Sequence, residues 1–192
     1  KIIYDNQLGE EGELTVGQAL LLLKPQESAE IREDLYVTGY AYPFIEPYVL
    51  EMAFPALNEL LVFSYGFTFE GELVPPIQDE TWMIQLAWEN GIEPMLVLTP
   101  FTQGVFNNQL IQTLVEEESV RENVITNLLK VVEEKGYVGV DVDFEYVRAQ
   151  NREGYAEFVG ELRAAMNEKG YRVSVALAPK TSSDQKGLLY EG

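Results

Sequence analysis

The sequence contains neither cysteine nor histidine among its 192 residues, and these two absences exclude several kinds of chemistry. Without cysteine, the chain has no disulfide scaffold, no thiolate metal site and no cysteine nucleophile. Without histidine, Ser-His-Asp catalysis and histidine-bound zinc are excluded as well. Acid–base chemistry is therefore left to carboxylates, lysine and tyrosine.

Basic residues are also scarce, since 13 Lys and Arg stand against 32 Asp and Glu, for a net charge of −19. Such a surface repels phosphate backbones and anionic lipid, so we expect no nucleic-acid partner. No apolar run approaches the ~20 residues that a membrane span needs. The hydrophobic content of 46% is enough for a packed core, and neutral sugars do not feel the charge repulsion.

The chain divides into three stretches by composition. Residues 1–25 form a small unit that ends at Pro25, and residues 26–35 form a charged linker. From residue 36 to 192, apolar strand-like runs alternate with longer helix-like stretches. The predicted strands are 36–42, 60–67, 94–99, 137–146 and 172–178, and the predicted helical stretches are 46–57, 79–90, 107–135 (broken near 117–119) and 152–169.

This alternation predicts repeated βαβ units and a parallel α/β sheet. Gly91, Gly136 and Gly170 each stand just before a strand, where a left-handed residue ends the preceding helix. A doubly wound open sheet and a (β/α)8 barrel both fit the pattern. The absence of a Gly-x-Gly-x-x-Gly segment after the first strand disfavours a nucleotide-binding open sheet.

The most informative segment is residues 139–145, Gly-Val-Asp-Val-Asp-Phe-Glu. On a strand, alternate side chains share a face, so Asp141, Asp143 and Glu145 form a ladder of carboxylates, with Glu145 nearest the carboxyl end. Ligands bind at that end in both α/β architectures. Repulsion between the three acids favours keeping one of them protonated at neutral pH, as a glycosidase requires.

Two other interpretations of the ladder fit the sequence less well. Acids can line a barrel interior and be neutralised by Lys or Arg, but three in alternation make that the weaker interpretation. A metal site is disfavoured because a straight strand does not wrap an ion and the segment lacks the glycine of a calcium loop. The sequence therefore calls for no metal and no cofactor.

Residues 139–145 resemble the signature Asp-Gly-x-Asp-x-Asp-x-Glu of glycoside hydrolase family 18, the chitinase family, although the leading Asp of the motif is Val138 here. The resemblance implies a (β/α)8 barrel and a retaining, substrate-assisted mechanism. It implies that Glu145 is the general acid/base, that Asp143 orients the substrate's acetamido group, and that Asp141 tunes the charge of Asp143. The acetamido oxygen of the sugar would act as the nucleophile.

A complete barrel takes ~250 residues, so the resemblance also implies that this chain is the N-terminal portion, about five βα units, of such a barrel. Strands six to eight have no counterpart in the sequence. We expect the isolated chain to be inactive, and either unstable or oligomeric through the exposed barrel edge.

Further segments resemble the spore-cortex peptidoglycan hydrolases of this family: 134–137, 176–181 and 185–190. Residues 6–8 and 14–20 resemble the second half of a LysM domain, which makes 1–25 a LysM-like remnant. The resemblance implies an N-acetylglucosaminidase acting on peptidoglycan or chitin outside the cell, in the cell wall or the spore coat and cortex of a spore-forming bacterium.

Five aromatic residues fall at or near the carboxyl ends of the first three predicted strands: Tyr40, Tyr42, Phe63, Tyr65 and Phe101. The rings of all but Phe63 are chosen as predicted sugar contacts, and packing at the barrel mouth explains each of the five equally well. The alternative to an enzyme is a catalytically inactive, lectin-like barrel that binds cell-wall glycans. The presence of all three acids favours the enzyme, and the absence of histidine disfavours a metal-dependent deacetylase.

Overall fold

A computed structural model describes residues 35–102, 105–182, 184–185 and 187. The predicted LysM-like remnant at 1–25 and the linker at 26–35 lie outside these residues, apart from Leu35. In chain order the described elements are β1 (Thr38–Ala41), α1 (Pro47–Ala53), β2 (Glu59–Phe67), β3 (Leu73–Val74), α2 (Thr81–Glu89), β4 (Glu93–Leu98), β5 (Phe101–Thr102), β6 (Val105–Phe106), α3 (Asn108–Glu116), α4 (Glu118–Lys135), β7 (Gly139–Val142), α5 (Arg152–Glu168) and β8 (Arg172–Val175), with 3-10 turns at Phe54–Ala56 and Ala149–Asn151.

The five predicted strands form one parallel sheet whose neighbours follow the chain order β1-β2-β4-β7-β8. This arrangement confirms the predicted α/β class with a parallel sheet. Two short antiparallel additions were not predicted: β3 pairs with the end of β2, and β5 pairs with β6.

The helix boundaries follow local chemistry. Glu117 has an extended backbone, with φ −111° and ψ 105°, and it separates α3 from α4 within the predicted break. The Asn107 side chain accepts a hydrogen bond from the Gln109 backbone N–H and caps α3. Gly136 ends α4 at φ 79°, a left-handed conformation that favours glycine, and Gly91 and Gly170 have similar φ values of 73° and 83°.

The main hydrophobic core lies on one face of the sheet, against the helices. Its buried members come from the strands and from all the larger helices, for example Leu60, Met83, Leu110, Leu128, Val140 and Leu162. A smaller apolar cluster lies on the opposite face and consists of Leu61, Met95 and Val97, with Phe63 and Val138 partly buried beside it. That second face also carries Asp141 of β7.

At the amino ends of the strands, a charged network ties together β2, β4 and β8. Arg172 Nη2 lies 2.8 Å from Glu59 Oε1 and 2.7 Å from Glu93 Oε2. The Tyr36 hydroxyl donates to Glu93 Oε2 at 2.9 Å. Glu59 is only 4% exposed, so its carboxylate depends on Arg172 for compensation. The network fixes the end of the sheet that is opposite the candidate site.

Within the described residues, no helix combines the length and the apolar character that crossing a membrane requires.

Candidate active site

The acid-bearing strand β7 lies between β4 and β8, with Leu96 paired to Val140 and Val140 paired to Val173. A Cβ atom added to Gly139 would lie 2.0 Å from the Arg172 carbonyl oxygen, so only glycine allows this close approach of the two strands. Val140 and Val142 point into the helix-side core, and Asp141 lies on the opposite face.

The strand is shorter than the sequence predicted. It ends at Val142 rather than at residue 146. Two last ladder bonds extend it slightly, from the Asp143 N–H to the Leu98 oxygen at 2.9 Å and from the Ala176 N–H to the Val142 oxygen at 3.0 Å. Its partners β4 and β8 end at Leu98 and Val175, so no strand remains to pair with the residues that follow.

Asp141 is almost fully buried, at 3% exposure, and both of its carboxylate oxygens accept hydrogen bonds. The Tyr40 hydroxyl donates to Oδ2 at 2.7 Å, and the Ser174 hydroxyl donates to Oδ1 at 2.5 Å. These two bonds connect β7 to β1 and to β8. They fix the orientation of the carboxylate and satisfy its acceptors inside the protein.

Asp143 is partly buried and follows Asp141 on the chain by two residues. Its burial, together with the charges of Glu145 and Asp141, raises the pKa of its carboxyl from 3.8 to about 6. Asp143 thus carries a proton at mildly acidic pH, where an ordinary aspartate has lost it. Burial is the largest cause of this rise in pKa, and the repulsion that the sequence predicts within the ladder adds to it.

Glu145 is exposed and lies with Asp143 on the wall of a cavity of about 290 Å³. Between the two acids, Phe144 turns to the core, where its ring lies 5.9 Å from Phe67 and 6.0 Å from Phe158. Tyr146 follows with a φ of 58° and leads the chain away from the sheet. Phe144 anchors this loop, so Glu145 is held at the carboxyl end of the sheet and faces solvent.

The predicted sugar contacts Tyr42 and Phe101 line a groove of about 450 Å³. Tyr42 stacks on Phe44 at 4.9 Å and contacts Phe63 at 4.8 Å, both between ring centroids. Phe101 meets Phe106 edge-to-face at 5.6 Å. The rest of the wall includes Val74, Pro75, Pro76, Ile77 and Gln78. The groove thus offers apolar and aromatic surface at the carboxyl end of the sheet.

Tyr40 is half exposed, and its hydroxyl is bound to Asp141 rather than free for a ligand.

Tyr65 is a wrong prediction as a sugar contact. It is 3% exposed, and its hydroxyl donates to Glu80 Oε1 at 2.6 Å on the helix side of the sheet. The cause is a register shift in β2 between Val62 and Tyr65. Such an irregularity moves the following side chains to the opposite face, so Tyr65 leaves the face that holds Asp141.

The structure adds residues that the sequence did not single out. Ser174 reaches Asp141 from the neighbouring strand, and Phe44 and Phe106 complete the aromatic groove. A pattern in the sequence could have found Ser174, because it is the polar residue within the apolar run of the fifth strand. No comparable signal marks Phe44 and Phe106, since they lie in loops and short segments.

Residues 104–191 match the family model described as Glycosyl hydrolases family 18, and we assign the chain to this family. Among its relatives is the cortical fragment-lytic enzyme of Bacillus subtilis (strain 168), which is 32% identical over 140 residues, or 72% of this chain.

Solved structures show the same likeness. The spore cortex-lytic enzyme SleL of Bacillus megaterium QM B1551 matches with a TM-score of 0.75 and 26% identity, over 99% of this chain and 44% of that one. A class V chitinase from Pseudomonas fluorescens Pf-5 matches with a TM-score of 0.76 at 21% identity, over 82% of this chain and 49% of that one, which shows a shared fold. The chain spans about a third of the length of the curated relatives it matches, 32% for the Bacillus subtilis enzyme.

Proposed function

We propose that this chain carries the acid-bearing part of a glycoside hydrolase that cleaves N-acetylglucosamine-containing glycans, with Glu145 as the general acid/base. The observation that carries the proposal is the ladder itself: a buried Asp141, an Asp143 with a pKa of about 6 and an exposed Glu145 follow one another to the carboxyl end of a parallel sheet. One of these acids is anchored, one has a raised pKa, and one is open to substrate.

The architecture that we propose is the first five βα units of a (β/α)8 barrel. Two features support it: the strands follow one another in chain order, and the helices pack against a single face of the sheet. A doubly wound sheet would carry helices on both faces. In such a barrel, β1 and β8 would pair with further strands. The chain alone would leave both of these sheet edges open, and we expect it to be inactive and prone to self-association.

In the proposed mechanism, Glu145 gives its proton to the glycosidic oxygen while the carbonyl oxygen of the substrate's own acetamido group attacks the anomeric carbon. The bond to the leaving sugar breaks, and a cyclic oxazolinium ion forms. Glu145, now ionised, then removes a proton from a water molecule that attacks the same carbon and reopens the ring. Two inversions give net retention of configuration.

In this scheme the other two acids act on the acetamido group. Asp143 orients this group and stabilises the positive charge that develops on it. Asp141 remains behind Asp143, fixed by Tyr40 and Ser174, and adds negative charge to the site. Fixed charges of this kind stabilise a cationic transition state without rearrangement at the moment of reaction.

The substrate that we propose is bacterial cell-wall or spore-cortex peptidoglycan, with chitin as the second choice. The names of the relatives support this choice, since they include a cortical fragment-lytic enzyme and the spore cortex-lytic enzyme SleL. The aromatic groove supplies stacking surface for sugar rings. A LysM-like segment at residues 1–25 would suit the same substrate, and we place the protein outside the cell, at the wall or spore cortex.

The test uses the full-length protein that contains this chain, with peptidoglycan from spore cortex and with N-acetylglucosamine oligomers. We expect reducing ends to be released from both, and none from matched oligomers whose acetyl groups have been removed, because the nucleophile is then lost. Equal hydrolysis of the deacetylated oligomers would contradict the mechanism. Binding of both glycans without hydrolysis would favour the lectin-like alternative and overturn the proposal.

A further inference from the structure

We propose that Ser174 is a positioning residue for this reaction, because its hydroxyl holds the Asp141 carboxylate in its orientation behind Asp143. The inference rests on the proposed function. It gives β8, the fifth strand of the sheet, a part in the reaction of the acids that begin on β7, the fourth strand.

Ser174 and Asp141 are in direct side-chain contact across two neighbouring strands. Ser174 and Asp141 are register partners on the adjacent parallel strands β8 and β7. The Ser174 hydroxyl donates to Oδ1 at 2.5 Å, while Tyr40 donates to Oδ2 at 2.7 Å. Each oxygen of a carboxylate that is 3% exposed therefore has its own donor. A short bond to a buried charged acceptor is among the stronger hydrogen bonds in proteins.

The other register neighbour of Asp141 cannot replace this donor. On the opposite side of β7, Val97 of β4 pairs with Asp141 and offers only an apolar side chain. Of the two register neighbours of Asp141, Ser174 on β8 is therefore the one that donates a hydrogen bond to the carboxylate. Loss of the Ser174 hydroxyl would leave Oδ1 buried without the donor that it now has.

The surroundings of Asp141 make this donor important. The ionisable groups whose charges act together with that of Asp141 include Asp143, Glu59, Tyr40 and Tyr155. These are acids or phenols, and none of them brings a positive charge to the carboxylate. Ser174 and Tyr40 thus supply the two hydrogen bonds that hold the Asp141 carboxylate in place among these groups.

The experiment compares three substitutions in the full-length enzyme: Ser174→Ala, and the pair Ser174→Thr and Ser174→Val, which have the same shape and differ in the hydroxyl. For Ala and Val we expect kcat to fall about fivefold with little change in KM. We also expect the acidic limb of the pH–rate profile to move, because a displaced Asp141 charge acts differently on the pKa of Asp143. Ser174→Thr should keep the wild-type profile.

The matched control is Ser119→Ala, the same change at an exposed position of α4, which should leave the profile unchanged. If Val and Thr share one profile, or if only KM changes, the inference is wrong. Glu145→Gln, measured in the same assay, separates the two hypotheses: undiminished turnover in Glu145→Gln overturns the proposed function, whereas an inactive Glu145→Gln beside an unaltered Ser174→Val overturns only the role of Ser174.

Discussion

The hydroxyl of Tyr40 lies 2.7 Å from Asp141 Oδ2, and this hydrogen bond joins two residues that are 101 positions apart in the sequence. It connects the first strand of the sheet to the strand that carries the acids. Tyr40 therefore belongs to the support of the carboxylate ladder, although its half-exposed ring remains next to Phe63 on the face where a glycan would bind.

Tyr40→Phe separates these two roles, because the variant keeps the ring and removes the hydroxyl. We expect kcat to fall about fivefold while KM changes little, since Asp141 loses one of its two donors. Steady-state kinetics on N-acetylglucosamine oligomers measures both constants. An unchanged kcat with a raised KM would instead assign the hydroxyl to substrate binding.

Asp143→Asn should stabilise the fold at neutral pH and lose that advantage in acid. The pKa of Asp143 is raised from 3.8 to about 6, so the folded state holds its proton more tightly than the unfolded state does. The penalty for ionising Asp143 is therefore present in full above pH 6, and it disappears as the pH falls toward 4. The amide carries no such penalty.

Denaturant unfolding of wild type and Asp143→Asn at pH 4 and pH 7.5 measures this difference in the free energy of unfolding. Glu157→Gln on α5 is the control, because it removes a carboxylate from an exposed helix position. An advantage for Asp143→Asn that is equal at both pH values would show that the pKa of Asp143 is not raised.

Arg172→Met should destabilise the fold at neutral pH by about 1–3 kcal/mol, because Glu59 is buried and loses its cation. Burial already raises the pKa of Glu59. Without Arg172 the pKa of Glu59 rises further. The loss of stability is therefore largest at pH values above this pKa, and it shrinks as the Glu59 carboxyl becomes protonated in acid. The double variant Glu59→Gln/Arg172→Met should recover part of the loss. Equal loss at pH 4 and pH 7.5 would contradict this account.

Tyr42→Ala should weaken the binding of long substrates. It removes a ring that stacks on Phe44 and lines the aromatic groove, so we expect KM for an N-acetylglucosamine tetramer to rise about fivefold with little change in kcat. Phe69→Ala is the control, since Phe69 is similarly exposed but lies outside the groove. Equal effects of the two substitutions on KM would show that the groove does not bind the substrate.

Periodicity in the sequence was sufficient to predict the five strands, the helical stretches and the break at Glu117, because each has a hydrophobic pattern several residues long. The same periodicity predicted too long an acidic strand, because the alternation continues through Phe144 and Glu145 after the neighbouring strands have ended. In that segment a buried Phe144 preserves the pattern without any strand pairing.

The assignment of Tyr65 failed for a different reason. Counting alternate residues along β2 assumes an unbroken register, and the irregularity between Val62 and Tyr65 invalidates that count. The contact between Ser174 and Asp141 depends on which strands are neighbours and on their register, and neither is encoded locally. The two-residue strands β3, β5 and β6 are too short to leave a pattern.

The central claim, that Glu145 is the general acid/base, is tested most directly by Glu145→Gln in the full-length enzyme, with Glu157→Gln as the control. The measurement is the rate at which reducing ends are released from spore-cortex peptidoglycan. We predict a fall of at least about 100-fold for Glu145→Gln, because general acid–base catalysis contributes at least this much, and a wild-type rate for Glu157→Gln. Turnover by Glu145→Gln at the wild-type rate would contradict the account.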